Sequence, residues 1–357
     1  MQSSSFLILT INPGSTSTKV ALFEDSRSIV QENIQHSSEV ISGFAGLWDQ
    51  FDFRIEQINI FLQKNAQLVK KLSAVVGRGG LLKPLSRGTY LVNTAMIEDA
   101  RKGIQGEHVS NLGCALADAI ARRYGCPAYV VDPVSVDEFI PLARYSGHPL
   151  ITRRSLSHAL NLRASAIWAA EEMGKKIDDC NFVVAHLGGG ISVAPVQAGK
   201  VIDVNDASSD GPFSPERTGG LPLQPFIKLC FSGQYTQQQM KRMVMGEGGL
   251  KAYLNTSDVV EIESRIKRGD EKAEEIFTAM AYQIAKEIAA MASVLCGQVD
   301  GIVLCGGLAN SKMLIDEIKK RIAFIAPIII FPGELEMQAM ATGALRVLRG
   351  EEKVKQY

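Results

Sequence analysis

The chain has 357 residues, 46% of them hydrophobic and 21% charged, which is typical of a globular protein and excludes a disordered or fibrous one. At about 150 residues per domain, this length predicts about two domains. The 38 Lys and Arg residues balance the 38 Asp and Glu residues, so the charge does not indicate nucleic acid or a membrane surface as partner.

The first predicted elements form a β-hairpin over residues 6–23, FLILTINPGSTSTKVALF, in which a polar glycine turn joins two apolar strands. Backbone N–H groups, Ser and Thr hydroxyls and the Lys19 ammonium of this turn, residues 12–19, together suit a phosphate group. The P-loop pattern GxxxxGK[ST] is absent. Taken alone, the turn is equally well interpreted as a polar hairpin without a ligand.

Three further residues of the first half are candidates for chemistry. Arg78, in VVGRGGLL, follows a short apolar strand and stands beside two glycines, where a guanidinium can pair with carboxylate or phosphate. His108, in EHVSNLG, is by itself more typical of a structural histidine than of a catalytic one. Residues 129–136, YVVDPVSV, are rich in β-formers, and their Asp132 is a candidate Mg²⁺ ligand, since Mg²⁺ takes few carboxylates together with phosphate oxygens.

The second half begins with a second hairpin. Residues 147–154, GHPLITRR, interrupt the periodic pattern and indicate a domain boundary. Residues 182–196, FVVAHLGGGISVAPV, then repeat the strand, glycine turn and strand of the first hairpin. Three consecutive glycines are useful where φ is positive or where another group approaches the backbone closely. Asp203, Asp206 and Asp210 follow, as loop caps or metal ligands.

The remaining elements alternate between helix and strand. Helices are predicted at residues 270–295 and 311–322, and strands at residues 301–307 and 326–333. A third glycine turn, CGGLANS, leads into a helix whose N-terminus favours an anion. Arg217 stands beside glycines in SPERTGG, and Glu334 and Glu336 follow the last strand.

These elements predict a duplicated α/β fold with two lobes and a ligand cleft between them. The first lobe is expected at residues 1–152, completed by a C-terminal helix at residues 336–357. The second lobe, with the nucleotide site, is expected at residues 153–335.

The motifs NPGSTSTK, VVGRGGLL, EHVSNLG, VVDPVSVDEF, SHALN, HLGGGISV, FSPERTGGLP and CGGLANS occur in the order found in the acetate kinase family, which the chain resembles over nearly its whole length. The resemblance implies the duplicated ribonuclease-H-like fold of the actin-like ATPases. It also implies reversible transfer of the γ-phosphoryl group of ATP to a short-chain carboxylate, which gives an acyl phosphate and ADP, with Mg²⁺ as cofactor.

The resemblance implies roles for individual residues. Catalytic roles fall on Asn12, Arg78, His108, Asp132, His158 and Arg217. ATP contacts fall on Ser15, Ser17, Lys19, His186, Gly188, Gly189, Gly190, Gly306, Gly307 and Asn310. Mg²⁺ is placed by Asp132 and Glu334, with Glu336 as the less secure alternative.

Three departures from the acetate kinase pattern indicate butyrate rather than acetate as the acceptor. Arg154 replaces the first histidine of FHGTSH, HLGNG is HLGGG, and a longer segment is shortened to SPERTGGLP around Arg217. Acetate, propionate or a branched acid remain alternatives, and so does a non-catalytic ATP-binding regulator. A sugar kinase would need a general base such as Asp132.

The sequence also predicts the cellular compartment and the partners of the protein. Six cysteines without a CxxC pair or zinc-ligand spacing are expected to be reduced, in a cytoplasmic protein. A homo-oligomer, a dimer or larger, is expected, with no nucleic acid or membrane partner.

Overall fold

The computed structural model of the protein describes residues 5–69 and 71–357. Within these residues the strands are β1 (Leu7–Pro13), β2 (Ser17–Glu24), β3 (Arg27–Gln35), β4 (Ala74–Arg78), β5 (Thr89–Leu91), β6 (Ala128–Val131), β7 (Tyr145–His148), β8 (Ile151–Thr152), β9 (Asn181–Leu187), β10 (Ile191–Gln197), β11 (Lys200–Val201), β12 (Gly301–Gly306), β13 (Ile328–Pro332) and β14 (Lys355–Gln356). The helices are α1 (Ser38–Ser42), α2 (Phe51–Lys64), α3 (Thr94–Lys102), α4 (Leu112–Tyr124), α5 (Ala159–Glu172), α6 (Leu223–Cys230), α7 (Gln237–Val244), α8 (Gly249–Leu254), α9 (Val259–Lys267), α10 (Glu271–Val294), α11 (Lys312–Ile322) and α12 (Glu336–Leu348). None of the helices in this described part of the chain is long and apolar enough to cross a membrane.

The chain divides into two compact units. The first contains the described part of Met1–Asp137 together with Leu335–Tyr357, and the second is Glu138–Glu334. The division after Asp137 precedes the boundary that the sequence indicates at residues 152–153. The segment in between is bonded to the second unit, because the Ile140 N–H donates to the Ile202 carbonyl and the Arg153 guanidinium to the Val204 carbonyl.

The first unit is built on a seven-stranded sheet in the order β14-β5-β6-β4-β1-β2-β3. β1 pairs antiparallel with β2 and parallel with β4, which in turn pairs parallel with β6. Side chains of β1 alternate between the two faces, so Leu9 and Ile11 enter a core formed with α2 and α4. The helix α12 packs on β1, β4 and β6.

The second unit is built on a five-stranded sheet in the order β11-β10-β9-β12-β13. Its β10–β9 hairpin and the parallel neighbours β12 and β13 repeat the arrangement of β2, β1, β4 and β6 in the first unit. The structure therefore confirms the duplicated α/β fold that the two similar hairpins predict.

Both faces of the second sheet are covered by helices. Val183, Ala185 and Leu187 of β9 enter a core formed with α8 to α11, while Phe182 and Val184 enter a core formed with α5. The helices α10 and α11 begin where Asp and Ser caps accept backbone N–H groups. Alternation along one strand thus fills two separate cores.

Two predicted segments differ from the structure. The C-terminal helix expected over residues 336–357 ends at Leu348, because Gly350 takes a left-handed φ of +74°, and Lys355–Gln356 form the strand β14 instead. The interrupted segment at residues 147–154 contributes to the hairpin β7–β8, which lies within the second unit.

Candidate active site

Three of the predicted catalytic residues lie at one edge of the seven-stranded sheet. Because β1, β4 and β6 are parallel neighbours, their carboxyl ends meet at the same edge. Asn12 is the last but one residue of β1, Arg78 is the last of β4, and Asp132 is the first after β6. Neighbouring strands lie about 4.8 Å apart, so the sheet brings these three residues together.

Arg78 is buried, with 8% of its surface exposed, and its Nη1 has no hydrogen-bond partner among the described residues. Burial lowers the pKa of the guanidinium, and Glu336 in the first turn of α12 opposes that shift. A buried donor without an acceptor is costly. A bidentate pair with a carboxylate or phosphate would satisfy it.

Asp132 is held in an uncommon backbone conformation. Its left-handed φ of +37° is fixed by a reciprocal pair of hydrogen bonds with Gly88: the Gly88 N–H donates to Oδ1 at 2.6 Å, and the Asp132 N–H donates to the Gly88 carbonyl at 3.1 Å. Backbone strain of this kind costs about 1–3 kcal/mol and concentrates at functional sites. Asp132, 3% exposed, therefore anchors the loop before β5 at the sheet edge.

The turn between β1 and β2 presents exposed polar groups. Ser15 is exposed and Ser17 is half-buried, while the Gly14 N–H closes the turn by donating to the Ser17 carbonyl at 2.8 Å. Lys19 stands directly opposite Asn12 in the strand pair, so the two side chains share one face of the sheet. These groups can bind an anion.

His108 is exposed, and its side chain caps the short helical turn Val109–Asn111. The Asn111 side chain accepts the Leu81 N–H at 2.8 Å, which holds this segment against the loop that follows Arg78. The structure shows a capping role for His108, and the role implied by the resemblance stays a prediction.

Two histidines stack in the second unit. The rings of His158 and His186 have centroids 4.3 Å apart and planes inclined by 34°. The Nδ1 of His158 is 2.9 Å from the hydroxyl of Ser192, which lies opposite His186 in the β9–β10 pair. The Asn161 amide nitrogen is 3.3 Å from the Nδ1 of His186. The second hairpin and the start of α5 thus fix both imidazoles.

Gly190 leaves the space that Arg217 occupies. A Cβ on Gly190 would lie 2.3 Å from the Nη1 of Arg217, which donates to the Ala207 carbonyl at 2.9 Å. Burial lowers the pKa of Arg217, and Asp206 and Glu216 oppose that shift. The shortened segment SPERTGGLP therefore brings Arg217 against Gly190, in the turn of Gly188, Gly189 and Gly190.

The third glycine turn lies beside the second, because β12 and β9 are parallel neighbours. Gly306 has a φ of +97°, and a Cβ there would lie 2.4 Å from the Leu187 carbonyl oxygen, so a larger residue does not fit. A Cβ on Gly307 would meet open space, and the Asn310 amide donates to the Gly307 carbonyl at 2.9 Å. The edge of this sheet therefore carries two adjacent glycine turns.

The aspartates after the second hairpin pair with arginines. The Oδ1 of Asp203 lies 2.9 Å from the Nη2 of Arg153. The Oδ2 of Asp206 lies 3.2 Å from the Nε of Arg154, the residue that departs from the acetate kinase pattern. Behind them, burial raises the pKa of Glu287 to about 6, Asp210 adds to that shift, and Arg153 opposes it. These contacts favour the interpretation of the aspartates as structural residues of the loop.

The predicted Mg²⁺ ligands are Asp132 and Glu334, with Glu336 as the alternative. Among the described residues, no group of three or more His, Cys, Asp or Glu side chains is placed to hold a metal ion. Mg²⁺ usually takes one or two carboxylates and completes its shell with phosphate oxygens and water. Asp132 belongs to the first unit and Glu334 to the second, while Glu336 faces Arg78.

Arg54 of α2, which is not among the predicted site residues, is completely buried and donates to the turn between β1 and β2. The burial of Arg54 could have been predicted from its place in the helical pattern. Arg54, Ile58 and Phe61 recur at helical spacing, so the arginine falls on the apolar face of the helix.

Comparisons with known proteins identify the family of the chain. The model of the acetokinase family matches residues 147–328. A curated protein named probable butyrate kinase 2, from Caldanaerobacter subterraneus subsp. tengcongensis, is 52% identical over 352 residues, which cover 99% of each chain.

Two solved structures share the fold. The acetate kinase of Porphyromonas gingivalis has a TM-score of 0.79 at 18% identity, over 96% of this chain and 100% of that one. A propionate kinase from Francisella tularensis has a TM-score of 0.74 at 18% identity, over 95% of this chain and 98% of that one.

Proposed function

The chain belongs to the acetokinase family and is a carboxylate kinase, and from this premise we propose that it transfers the γ-phosphoryl group of ATP reversibly to butanoate. The observation that carries the proposal is the buried Arg78 guanidinium, whose Nη1 lacks a partner among the described residues. This guanidinium can pair with the carboxylate of the acid, which is the only polar group of a short-chain fatty acid. The name of the relative with 52% identity supports the four-carbon acid.

The reaction needs alignment and charge neutralisation more than a covalent nucleophile. A carboxylate oxygen attacks the γ-phosphorus, the bond to the β–γ bridging oxygen breaks, and ADP leaves with the electron pair. The carboxylate is already ionised at neutral pH, so no general base has to remove a proton.

In the first unit, Arg78 binds the carboxylate and Asp132 holds the loop beside it. Asn12, Ser15, Ser17 and Lys19 contact the phosphoryl group that is transferred. The orientation of the turn and the pairing of Asn12 with Lys19 across β1 and β2 support this assignment. His108 has a lesser part, as the cap of a neighbouring segment.

In the second unit, the two adjacent glycine turns bind the nucleotide. Gly188, Gly189 and Gly190 offer backbone N–H groups to the phosphates, Arg217 neutralises their charge, and the stacked His158 and His186 donate hydrogen bonds. Gly306, Gly307 and Asn310 border the adenosine. The open space above Gly307 supports this assignment.

Mg²⁺, bound to the nucleotide phosphates, would neutralise their negative charge. Asp132 and Glu334 would hold it, either directly or through the waters in its shell.

The proposal is tested by trapping the product with hydroxylamine. Purified protein receives ATP and Mg²⁺ with acetate, propionate, butyrate, isobutyrate or isovalerate in separate reactions, and hydroxamate is measured. We expect the highest kcat/KM with butyrate and a low value with acetate. Equal or higher kcat/KM with acetate would contradict the choice of acid, and no hydroxamate from protein that binds ATP would contradict the activity.

A further inference from the structure

All five N–H donors of Arg54 make hydrogen bonds within the first unit. Nε and Nη2 donate to the Gln50 side-chain oxygen at 3.1 and 2.9 Å. Nη1 donates to the Ser17 carbonyl and the Thr18 hydroxyl, both at 2.9 Å, and Nη2 also donates to the Gly14 carbonyl at 2.9 Å. The side chain is 0% exposed.

These hydrogen bonds fix the direction of the peptide groups in the turn between β1 and β2. In a trans peptide the C=O and the following N–H point in opposite directions. Because the Gly14 carbonyl points to Arg54, the N–H of Ser15 points away from it, on the side where Ser15 is exposed. The guanidinium therefore presents this N–H to a ligand of the turn.

The positive charge of Arg54 is not neutralised by an acidic side chain. Its acceptors are two carbonyls, a hydroxyl and an amide oxygen, and no carboxylate in the described part of the chain pairs with it. Burial lowers its pKa to about 10, so it remains protonated at neutral pH. A buried cation held by dipoles alone favours a negative charge nearby.

We propose that Arg54 is a positioning residue for phosphoryl transfer, which shapes the turn of residues 14–18 from behind and supplies a buried positive charge that attracts the transferred phosphoryl group. This inference rests on the proposed binding of that group by the turn. It adds a residue that makes no contact with the substrate, and assigns it both a geometric and an electrostatic effect.

The variant Gln50→Glu separates the two effects. Glutamate has nearly the same shape as glutamine and can accept the same two hydrogen bonds, so the turn keeps its geometry while the charge of Arg54 is neutralised. The thermal midpoint should stay or rise, because the buried cation gains a counter-ion. We expect kcat/KM for ATP to fall about tenfold or more, the effect of a unit charge roughly 10 Å from an anion at an effective dielectric constant of about 20.

Gln63→Glu is the matched control, since it makes the same change on an exposed position of the same helix. It should leave kcat/KM unchanged. Arg54→Lys keeps the charge with three donors instead of five, so its kcat/KM should fall less than that of Arg54→Met at equal amounts of folded protein.

The outcomes separate this inference from the proposed function. If Asn12→Ala impairs turnover while Gln50→Glu matches the wild type, Arg54 has no electrostatic part and the inference is overturned. If Asn12→Ala, Ser15→Ala and Gln50→Glu all match the wild type, the assignment of the turn itself is wrong. Losses that only follow the loss of folded protein in the Arg54 variants would also contradict the inference.

Discussion

Two buried arginines of the first unit differ in how their donors are satisfied. All five donors of Arg54 have acceptors within the unit, whereas the Nη1 of Arg78 has none among the described residues. A satisfied guanidinium stabilises its surroundings, and an unsatisfied one is suited to a ligand. The two side chains are therefore assigned different roles.

Arg78→Gln should lower kcat/KM for the carboxylate by about a hundredfold or more, because a buried charge that pairs with the substrate is lost. The thermal midpoint should not fall, since removal of the guanidinium also removes the cost of burying its charge. Steady-state kinetics and a thermal melt measure both. Arg122→Gln, on an exposed arginine paired with Asp118, is the control and should change neither. A melt that drops in proportion to activity would contradict the binding role.

Gly190→Ala should displace Arg217, because the new Cβ would overlap the guanidinium. We expect kcat to fall by about tenfold or more as one donor to the phosphates moves away. Gly147→Ala is the matched control, since a Cβ there meets nothing within 4 Å. Equal kinetics for the two variants would contradict the assignment of Arg217 to the glycine turn.

His36 should make stability depend on pH. Burial lowers its pKa below 6.5, and the Arg54 cation that faces it adds to that shift. Its Nε2 lies 2.8 Å from the Thr18 hydroxyl. The unfolded chain binds the proton more readily, so the stabilisation is present above about pH 6.5 and is lost as the pH falls below it.

His36→Gln should therefore reduce the drop in thermal midpoint between about pH 7.5 and about pH 5.5. The comparison with the wild type is needed because Glu287, whose pKa is raised to about 6, has the opposite effect: its protonation stabilises the folded protein as the pH falls. His148→Gln, on an exposed histidine, should keep the drop of the wild type. Equal pH dependence in all three proteins would contradict the assignment.

At the residue scale, the sequence predicts positions better than contacts. Asn12, Arg78 and Asp132 could be placed at strand ends because apolar runs stop there. The pairing of Arg217 with the space above Gly190 could not be predicted, since it depends on a loop whose path has no periodic pattern. The contacts of Arg54 could not be predicted either, because three of its four acceptors, Gly14, Ser17 and Thr18, lie more than 35 residues away in sequence.

At the scale of elements, the short strand β14 holds the loop that follows Arg78. β14 pairs with β5, and the hydroxyl of Tyr357 donates to Asp99 at 2.9 Å and accepts the Lys83 N–H at 3.3 Å. Burial and the hydrogen bond to Asp99 raise the pKa of the Tyr357 phenol.

Tyr357→Phe should lower the free energy of unfolding by about 1 kcal/mol, the contribution of such hydrogen bonds. Tyr357→Ala should lower it further, because the ring packs against the core of the first unit. Urea denaturation measures both. Tyr124→Phe, on an exposed tyrosine, is the control. Unchanged stability in both Tyr357 variants would contradict a structural role of Tyr357, which directly follows β14.

Elements with strong periodicity were predicted to within a few residues. The helices α10 and α11 and the strands β12 and β13 lie where the sequence indicates them, since caps and apolar spacing act locally. The C-terminal helix is shorter than the predicted range of 336–357, because the residues after Gly350 pair with β5, which is distant in sequence, and form β14.

At the scale of the whole molecule, the duplication could be predicted because each half begins with a similar hairpin. The position of the division could not, since hydrogen bonds from Ile140 and Arg153 to later residues attach the intervening segment to the second unit. The oligomeric state and the individual roles of the site residues stay predictions.

The most direct test follows the phosphorus atoms themselves. Purified protein with ATP, Mg²⁺ and butyrate is monitored by ³¹P NMR, beside a sample without the acid. We expect equal amounts of ADP and an acyl phosphate, formed only when butyrate is present and reversed by added ADP. Orthophosphate released at the same rate with and without the acid, or no change in ATP, would contradict this expectation.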